Sequence, residues 1–201
     1  DGVKDIQSYA FNNCTDLQSV TLPKNANVAK DIFSQNPKLS SLTMAFETPL
    51  AYYFVYKMDA PEGFMWLEQG DGSVSNTYYG AVPYSIKEVN FLNDPCRMAL
   101  SFCSMIEKVT IPENATSIGD NAFRGCTSLR DFVMPESITQ IGGYAFNQTA
   151  IQSITIPKNV KFDVYDQYIF GECRELRDVT YLSQSTCCPS GIFYGCTSLT
   201  E

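Results

Sequence analysis

The chain has 201 residues, of which 44% are hydrophobic, and its formal net charge is -8 at pH 7. The hydrophobic share is enough for a buried core, and the negative charge argues against nucleic acid or an anionic membrane as the main partner. The sequence holds no histidine, which excludes Ser-His-Asp and Cys-His nucleophilic sites and the H-E-x-x-H zinc motif. No apolar run is long enough to span a bilayer, so we predict no membrane insertion.

One sequence unit recurs along the chain, and its clearest copy runs from Ile106 to Leu129. It opens with an apolar strand that ends in proline, passes through a polar turn to Ile-Gly, and reaches an Ala-Phe pair followed by cysteine. Most copies start about 20 to 25 residues apart, the period of leucine-rich repeats. Such a unit cannot bury its apolar face alone, so the copies are predicted to stack into a solenoid with one continuous core. The predicted strands begin at Leu17, Leu39, Ile86, Ile106, Leu129, Ile151 and Leu176.

In chain order, residues 1–16 carry the back half of a first unit, and residues 17–38 form a regular unit. The strand from Leu39 starts a third, but the template is lost after Met44. Residues 86–201 return to the repeat. We therefore predict a single domain over residues 1–201, with an irregular aromatic-rich insertion or divergent repeat at about 45–85.

Residues 45–85 hold half of the 12 tyrosines and the only tryptophan, Trp66. Two interpretations stay open, because the aromatic side chains could plug the hydrophobic base of an elongated repeat or form an exposed binding surface. Both can hold, with Tyr52 and Phe54 buried and Trp66 or Tyr79 displayed. Turns are predicted at residues 61–63 and 70–72 from their proline and glycine content.

Two columns of side chains are expected inside the solenoid. The first continues the Ala-Phe position through Phe11, Phe33, Leu100, Phe123, Phe146, Phe170 and Phe193. The second lies three residues later and holds small side chains that can hydrogen-bond, which predicts a slot that satisfies loop backbone groups inside the coil. Its members are Cys14, Asn36, Cys103, Cys126, Thr149, Cys173 and Cys196.

The cysteines are predicted to be mostly buried thiols. Five occupy the slot, and Cys188 falls where Ile118 lies in the reference unit, which also predicts burial. Cys187 and Cys96 have no place in the template, and a strained Cys187–Cys188 bridge stays open. We predict neither a metal site nor a cofactor, because the sequence has no histidine, no paired thiol motif of the zinc-binding kind and no Asp-rich calcium loop, and the slot cysteines are a whole repeat apart.

The run I-P-x-x-x-x-x-I-G-x-x-A-F-x-x-C-x-x-L from Ile111 to Leu129, with its copies, resembles the BspA-like leucine-rich repeat family of surface proteins. The resemblance covers nearly the whole chain. It implies a right-handed, horseshoe-like leucine-rich repeat solenoid with short parallel β-strands on the concave face and turns and short helical or 3-10 segments on the other side. It also implies an extracellular or cell-surface location and a role in adhesion, without fixing a ligand. The start at Asp1 shows no signal peptide, so we expect any leader to have been removed or never present.

Candidate ligand-binding residues form two groups. Trp66, Tyr78 and Tyr79 come from the insertion, and Glu88, Lys108, Asp131 and Asp178 come from outward strand positions on the expected concave face. We predict no catalysis: Glu68 and Asp71 could pair as hydrolytic carboxylates, but scattered acids in a polar loop are usually only solvated.

The expected function is a non-enzymatic adhesion or protein-binding module whose partners are extracellular matrix or cell-surface proteins. Two alternatives remain: a carbohydrate-binding module in which the insertion's aromatic side chains contact glycans, and a structural spacer that displays another domain.

Overall fold

The computed structural model describes residues 2–54, 62–69 and 77–200. The chain winds as a solenoid of short parallel strands, and the described residues contain one helix, a 3-10 turn at Leu50–Tyr53. The strands are β1 (Asp5–Ile6), β2 (Phe11–Asn12), β3 (Ser19–Thr21), β4 (Asn27–Val28), β5 (Phe33–Ser34), β6 (Ser41–Met44), β7 (Phe64–Gln69), β8 (Tyr78–Pro83), β9 (Glu88–Phe91), β10 (Lys108–Thr110), β11 (Ser117–Ile118), β12 (Gln140–Ile141), β13 (Ser153–Ile156) and β14 (Asp178–Tyr181).

The predicted strand of each coil forms one face of the solenoid, which we call the strand face. Parallel pairing runs in the order β10-β9-β6-β3, and β13 pairs with β14. A single bridge between Lys108 and Asp131 links β10 to the following coil. Side chains alternate as expected: Val109 is buried, whereas Lys108 and Thr110 are exposed. The solenoid and its strand periodicity are thus confirmed.

The side opposite the strand face, which we call the turn side, is built from hydrogen-bonded turns. In the reference coil, the N–H groups of Asn121, Phe123 and Gly125 donate to carbonyl oxygens of the next coil at 2.8–2.9 Å. Two positions per coil have positive φ, represented by Asn121 (55°) and Gly125 (72°). Left-handed residues cannot continue a right-handed helix, which explains why turns predominate over helical segments here.

The predicted phenylalanine column runs through the core behind these turns. Phe123 and Phe146 have ring centroids 5.2 Å apart, and Phe146 and Phe170 are stacked at the same spacing. Phe33 and Phe54 are also 5.2 Å apart. Phe54 therefore occupies the column position of the third coil, and its predicted burial is confirmed, at 2% exposure. Tyr52 is only half-buried.

The predicted strands that start at Leu39 and Ile86 are about two repeat periods apart, and the structure shows that a single coil with an insertion fills this interval. Strand β6 pairs directly with β9, with Ser41 opposite Glu88. Because Phe54 still completes the phenylalanine column, the excursion from the template begins after Phe54, later than the sequence indicated. Its described part is an antiparallel hairpin of β7 and β8. A turn precedes β7 at residues 62–63, whereas Pro61 and the predicted turn at 70–72 lie outside the described residues.

The hydrogen-bonding slot is confirmed. The Cys126 thiol donates to the Leu100 carbonyl oxygen at 3.1 Å, a contact that ties one coil to the preceding one. Asn36 makes two bonds to the preceding coil, because its Nδ2 donates to the Phe11 oxygen at 2.9 Å and its Oδ1 accepts from the Cys14 N–H at 3.0 Å. Side chains in this slot therefore replace backbone hydrogen bonds that the corner of each coil cannot make.

Two cysteine predictions are corrected. Among the slot residues Cys14 is only half-buried, since it lies in the first coil and has fewer neighbours covering it. Cys188 is exposed because the Ser/Thr/Cys-rich turn at residues 184–189 leaves the template. All eight cysteines lie within the described residues and are free thiols, so no Cys187–Cys188 bridge is present.

Close packing between neighbouring coils requires glycine at positions 119 and 142. Neither has a positive φ. A Cβ at Gly119 would lie 2.5 Å from the Arg97 nitrogen, and one at Gly142 would lie 2.5 Å from the Asp120 nitrogen. Any side chain there would push neighbouring coils apart.

Candidate functional site

The strand face aligns the four charged residues singled out from the sequence. Glu88 lies opposite Lys108 in the pairing of β9 with β10, and Lys108 bridges to Asp131. Asp178 lies opposite Ser153 in the pairing of β13 with β14. All four belong to one row, which follows the solenoid axis at about 4.8 Å per paired strand.

Charge is unevenly distributed along this row. The Lys108 Nζ lies 2.8 Å from the Glu88 Oε1, so these two charges largely cancel. Asp131 and Asp178 are exposed and form no ion pair with any residue that the structure describes. The row therefore carries net negative charge in its later coils, where it would favour a partner with basic groups.

A second row of outward side chains accompanies the charged row. It holds Thr21, Thr43, Asn90 and Thr110 in register, and Asn90 Nδ2 donates to Thr43 Oγ1 at 3.3 Å. Val133 interrupts this polar row and is 83% exposed. Its coil contributes only the single bridge at Asp131, so the strand face is least regular at this point.

The hairpin separates the three aromatic candidates. Trp66 and Tyr79 lie on its outward face, with stacked rings whose centroids are 6.0 Å apart. Tyr79 is 38% exposed, and its hydroxyl donates to Glu68 Oε1 at 3.3 Å. Tyr78 has the opposite orientation and packs edge-on against Tyr52, with centroids 5.7 Å apart. Trp66 is half-buried, so Tyr79 is the more displayed of the pair.

Gln69, which sequence reasoning missed, fixes the hairpin to the turn side. This residue is 1% exposed. Its Oε1 accepts the Ala51 N–H at 2.7 Å, and its Nε2 donates to the Ser101 oxygen at 2.6 Å. These bonds fill a gap in the turn ladder between the third and fourth coils. The sequence signal that could have revealed it is the alternation of side chains along β7, which places Gln69 on the same inward face as Leu67.

The two candidate surfaces consequently lie on different sides of the solenoid. Ala51 and Ser101 belong to the turn side, whereas Glu88, Lys108 and Asp131 belong to the strand face. A compact ligand cannot contact both groups at once. The seven residues proposed from the sequence therefore define two separate candidate sites.

Asn93 and Asp94 connect the interrupted region to the regular coils, and this role was also missed. The Asn93 side chain forms two hydrogen bonds with the Phe46 backbone, at 2.9 and 3.2 Å. Asp94 accepts from the backbone N–H and the hydroxyl of both Thr116 and Ser117, at 2.9–3.2 Å. Partial burial would raise the pKa of Asp94, but these hydrogen bonds outweigh it and the pKa is lowered.

A groove of about 540 Å³ runs between the strand face and the turn side. Its lining includes Asp120, Asp163 and Asp166 together with Arg97 and Lys161. Burial and the nearby carboxylates of Asp120 and Asp163 raise the pKa of Asp166. The lining also includes Gly119 and Gly142, and its mixture of acidic and basic side chains gives the groove no single charge.

Burial keeps three of the thiols protonated. Burial raises the pKa of Cys103 and Cys126, and raises that of Cys96 to about 12. A protonated, buried thiol is a poor nucleophile and a poor metal ligand. Across the described ranges, no group of three or more Cys, Asp or Glu side chains is placed to hold a metal ion. Of the two acids considered for hydrolysis, Glu68 is bonded by Tyr79, and Asp71 lies outside the described residues.

A family model for the BspA type leucine-rich repeat region matches residues 1–56 and 97–201 in six copies. The chain belongs to this family. The match breaks over residues 57–96, the part of the chain that contains the hairpin. Repeats of this kind form interaction or surface modules and are typically non-catalytic.

Solved structures show the same fold at low identity. A leucine-rich repeat protein from T. pallidum has a TM-score of 0.52 and 22% identity, over 100% of this chain and 74% of that chain. One from Bacteroides ovatus ATCC 8483 has a TM-score of 0.50 and 20% identity, over 98% of this chain and 34% of that chain. The present chain thus spans about a third of the B. ovatus protein. No curated protein matches.

A third similar structure is a leucine-rich cell surface protein from Faecalibacterium prausnitzii A2-165, at 22% identity and a TM-score of 0.36, over 89% of this chain and 51% of that chain. Within the described part of the present chain, no helix has the length and apolar character needed to cross a membrane.

Proposed function

We propose that this chain is a non-enzymatic protein-binding module of an extracellular or cell-surface protein, and that it contacts matrix or cell-surface proteins of a host or a neighbouring cell. The observation that carries the proposal is the ordered strand face, where parallel pairing holds outward side chains in fixed register. Such a face is pre-organised, so little conformational entropy is lost on binding. Membership of the BspA type family supports a surface role.

Charge on the strand face sets the kind of partner. Asp131 and Asp178 are exposed acids with no described counter-ion, whereas Glu88 and Lys108 satisfy each other. A partner surface with basic groups would be steered toward the later coils and would bind more weakly as salt rises. Val133, which stands in the threonine row two residues after Asp131, offers an exposed apolar contact at the same place.

The test is binding to an immobilised panel of extracellular-matrix proteins, with variants that leave the core intact. Asp131→Asn combined with Asp178→Asn removes the unpaired charges of the strand face. Trp66→Ala combined with Tyr79→Ala removes the aromatic rings from the outward face of the hairpin, which we call the hairpin face. We expect the first pair to weaken binding about tenfold, equal to roughly 1.4 kcal/mol, and the second to leave it unchanged. Glu113→Gln combined with Glu136→Gln, which removes two exposed acids outside the row, is the matched control. Binding that survives the first pair would contradict the assignment.

A second candidate function is glycan binding by the hairpin face. The observation in its favour is the stacked Trp66–Tyr79 pair beside Glu68, because aromatic rings and a carboxylate are common partners of sugar rings and hydroxyls. Glycan-array signals lost in the hairpin double variant, with matrix binding retained, would favour this candidate. Deleting the hairpin would be a poor test, because it would also remove Gln69.

A further inference from the structure

Five side chains form a continuous stack along the turn side, and we call them the turn-side stripe: Phe102, Arg124, Tyr144, Tyr168 and Tyr194. The Arg124 guanidinium lies 5.3 Å from the ring centroids of both Phe102 and Tyr144. Tyr144 and Tyr168 stack with centroids 5.4 Å apart, and Tyr168 meets Tyr194 edge-on at 5.7 Å. The stripe therefore places one residue on each of five successive coils.

The fold by itself does not call for aromatic residues at these positions. Phe102, Tyr144 and Tyr168 have φ values of 62°, 58° and 51°, in the left-handed region that asparagine and glycine occupy with least strain. Asn121 and Gly191 hold the positions equivalent to Tyr144 and Tyr168 in neighbouring coils. The left-handed turn positions of this chain accept acidic, amide and apolar residues as well, such as Asp31, Gln148 and Met98, so the turn geometry does not impose the run of aromatic rings.

The stripe presents hydrogen-bonding groups that are not used within the described structure. Phe102 is 46% exposed and Tyr194 is 62% exposed. No described residue hydrogen-bonds to the hydroxyls of Tyr144, Tyr168 or Tyr194, and the half-buried Arg124 guanidinium donates from Nη1 to Asn121 Oδ1 at 3.4 Å. Because stacking covers the faces of the inner rings, the ligand side of the stripe consists of ring edges, phenol hydroxyls and one guanidinium edge.

The spacing of the stripe selects among extended polymers. Neighbouring coils are about 4.8 Å apart, so five coils span about 19 Å. An extended polypeptide repeats its side chains on one face at about 6.7 Å, every second residue, so its side chains do not match the spacing of the coils. One sugar unit of an equatorially linked linear polysaccharide advances by about one coil spacing. Arg124 is the single cationic side chain of the stripe, and the chain as a whole carries a net charge of -8. An anionic polymer is therefore disfavoured as the ligand.

We propose that the turn-side stripe binds a neutral, linear, hydroxyl-rich polysaccharide along the solenoid axis, with one sugar unit on each coil. The phenol hydroxyls and Arg124 bond to sugar hydroxyls, and the aromatic edges contact the apolar ring faces. This site shares no residue with the strand face or with the outward face of the hairpin. Its failure can therefore be distinguished from failure of the proposed function.

The test is calorimetric titration of the whole chain with β-1,4-linked oligosaccharides of glucose, mannose or N-acetylglucosamine, from two to six units long. We expect affinity to rise with each unit up to five and then to level off, because the stripe ends. The decisive variant is Tyr144→Asn combined with Tyr168→Asn. Asparagine suits the left-handed backbone, so the variant should fold as well as the parent while binding at least about tenfold more weakly.

Three outcomes would overturn the proposal. One is the absence of heat for all three sugars at millimolar concentration. Another is unchanged affinity in a folded Tyr144→Asn, Tyr168→Asn variant. The third is affinity lost equally in the Trp66→Ala, Tyr79→Ala variant, which would move the sugar site to the hairpin. Thermal melting of each variant, together with its matrix-protein binding, separates loss of the stripe from loss of the fold.

Discussion

The regular coil from Ile106 to Gly125 and the interrupted coil from Leu39 to Ser85 differ in how the backbone groups of the turn side find hydrogen-bond partners. In the regular coil, backbone groups of the turn side bond directly to the next coil, and Cys126 satisfies the remaining carbonyl. In the described part of the interrupted coil, the turn side has direct backbone contacts to its neighbours at Leu50, at Tyr52 and through the Phe33–Phe54 bridge, and the side chain of Gln69 adds bonds to Ala51 and Ser101. A repeat can thus admit a long excursion if one buried polar side chain supplements the remaining ladder.

The regular coil should be most sensitive at its core. Phe123→Ala is expected to lower the free energy of unfolding by about 3–5 kcal/mol, because it empties a fully buried position that contacts Phe91, Phe132 and Phe146. Urea denaturation measures the change. Thr110→Ala, on the exposed strand face of the same coil, should stay within about 0.5 kcal/mol. Equal effects from the two would contradict the assignment of inward and outward positions.

The stability of the interrupted coil should depend on Gln69 almost as strongly as that of the regular coil depends on Phe123. Gln69→Ala leaves the Ala51 N–H and the Ser101 carbonyl without partners in the interior, at a cost of about 2–4 kcal/mol. Glu68→Ala, one residue earlier and exposed, is the matched control and should change stability little. Hydrogen exchange at the Ala51 amide gives a local measurement, and protection there in the Gln69→Ala protein would be incompatible with the bridging role.

The junction between the two kinds of coil should be pH-sensitive through Asp94. Its pKa is lower in the folded chain than in the unfolded chain, so its contribution is complete above the unfolded value of about 3.9 and is lost as pH falls through the folded pKa. Asp94→Ala should cost about 1–2 kcal/mol near neutral pH. The difference from the parent should shrink as unfolding is measured at progressively lower pH. A constant difference down to the lowest pH would show that the carboxylate is not responsible.

Thiol labelling sharpens the comparison without changing stability. Cys188 is exposed in an irregular turn, whereas Cys103 and Cys126 are buried with raised pKa values. A maleimide reagent should modify Cys188 rapidly in the native chain, and Cys126 only when the chain unfolds. Mass spectrometry after a short pulse, with and without urea, identifies the labelled residues. Rapid labelling of Cys126 in the native state would mean that the slot is open to solvent.

The candidate sites were only partly accessible to sequence reasoning. Alternation placed Glu88, Lys108 and Asp131 in one outward row, but the Glu88–Lys108 ion pair depends on the register between coils. Trp66, Tyr78 and Tyr79 were grouped because they share a segment, and strand parity in the hairpin then separated Tyr78 from the other two. Local composition reports which residues are near in the chain and carries little information about the side of the solenoid to which an excursion folds back.

The sequence alone determined the solenoid, the inward strand positions, the phenylalanine column and the hydrogen-bonding slot, because each recurs at a fixed period and a stacked core demands that recurrence. The tertiary structure alone decided what has no period. It placed the hairpin on the turn side through Gln69, tied Asp94 to the following coil, exposed Cys188 and aligned Arg124 between two rings. Each of these depends on a side chain that the repeat pattern does not prescribe, so the period alone could not reveal it.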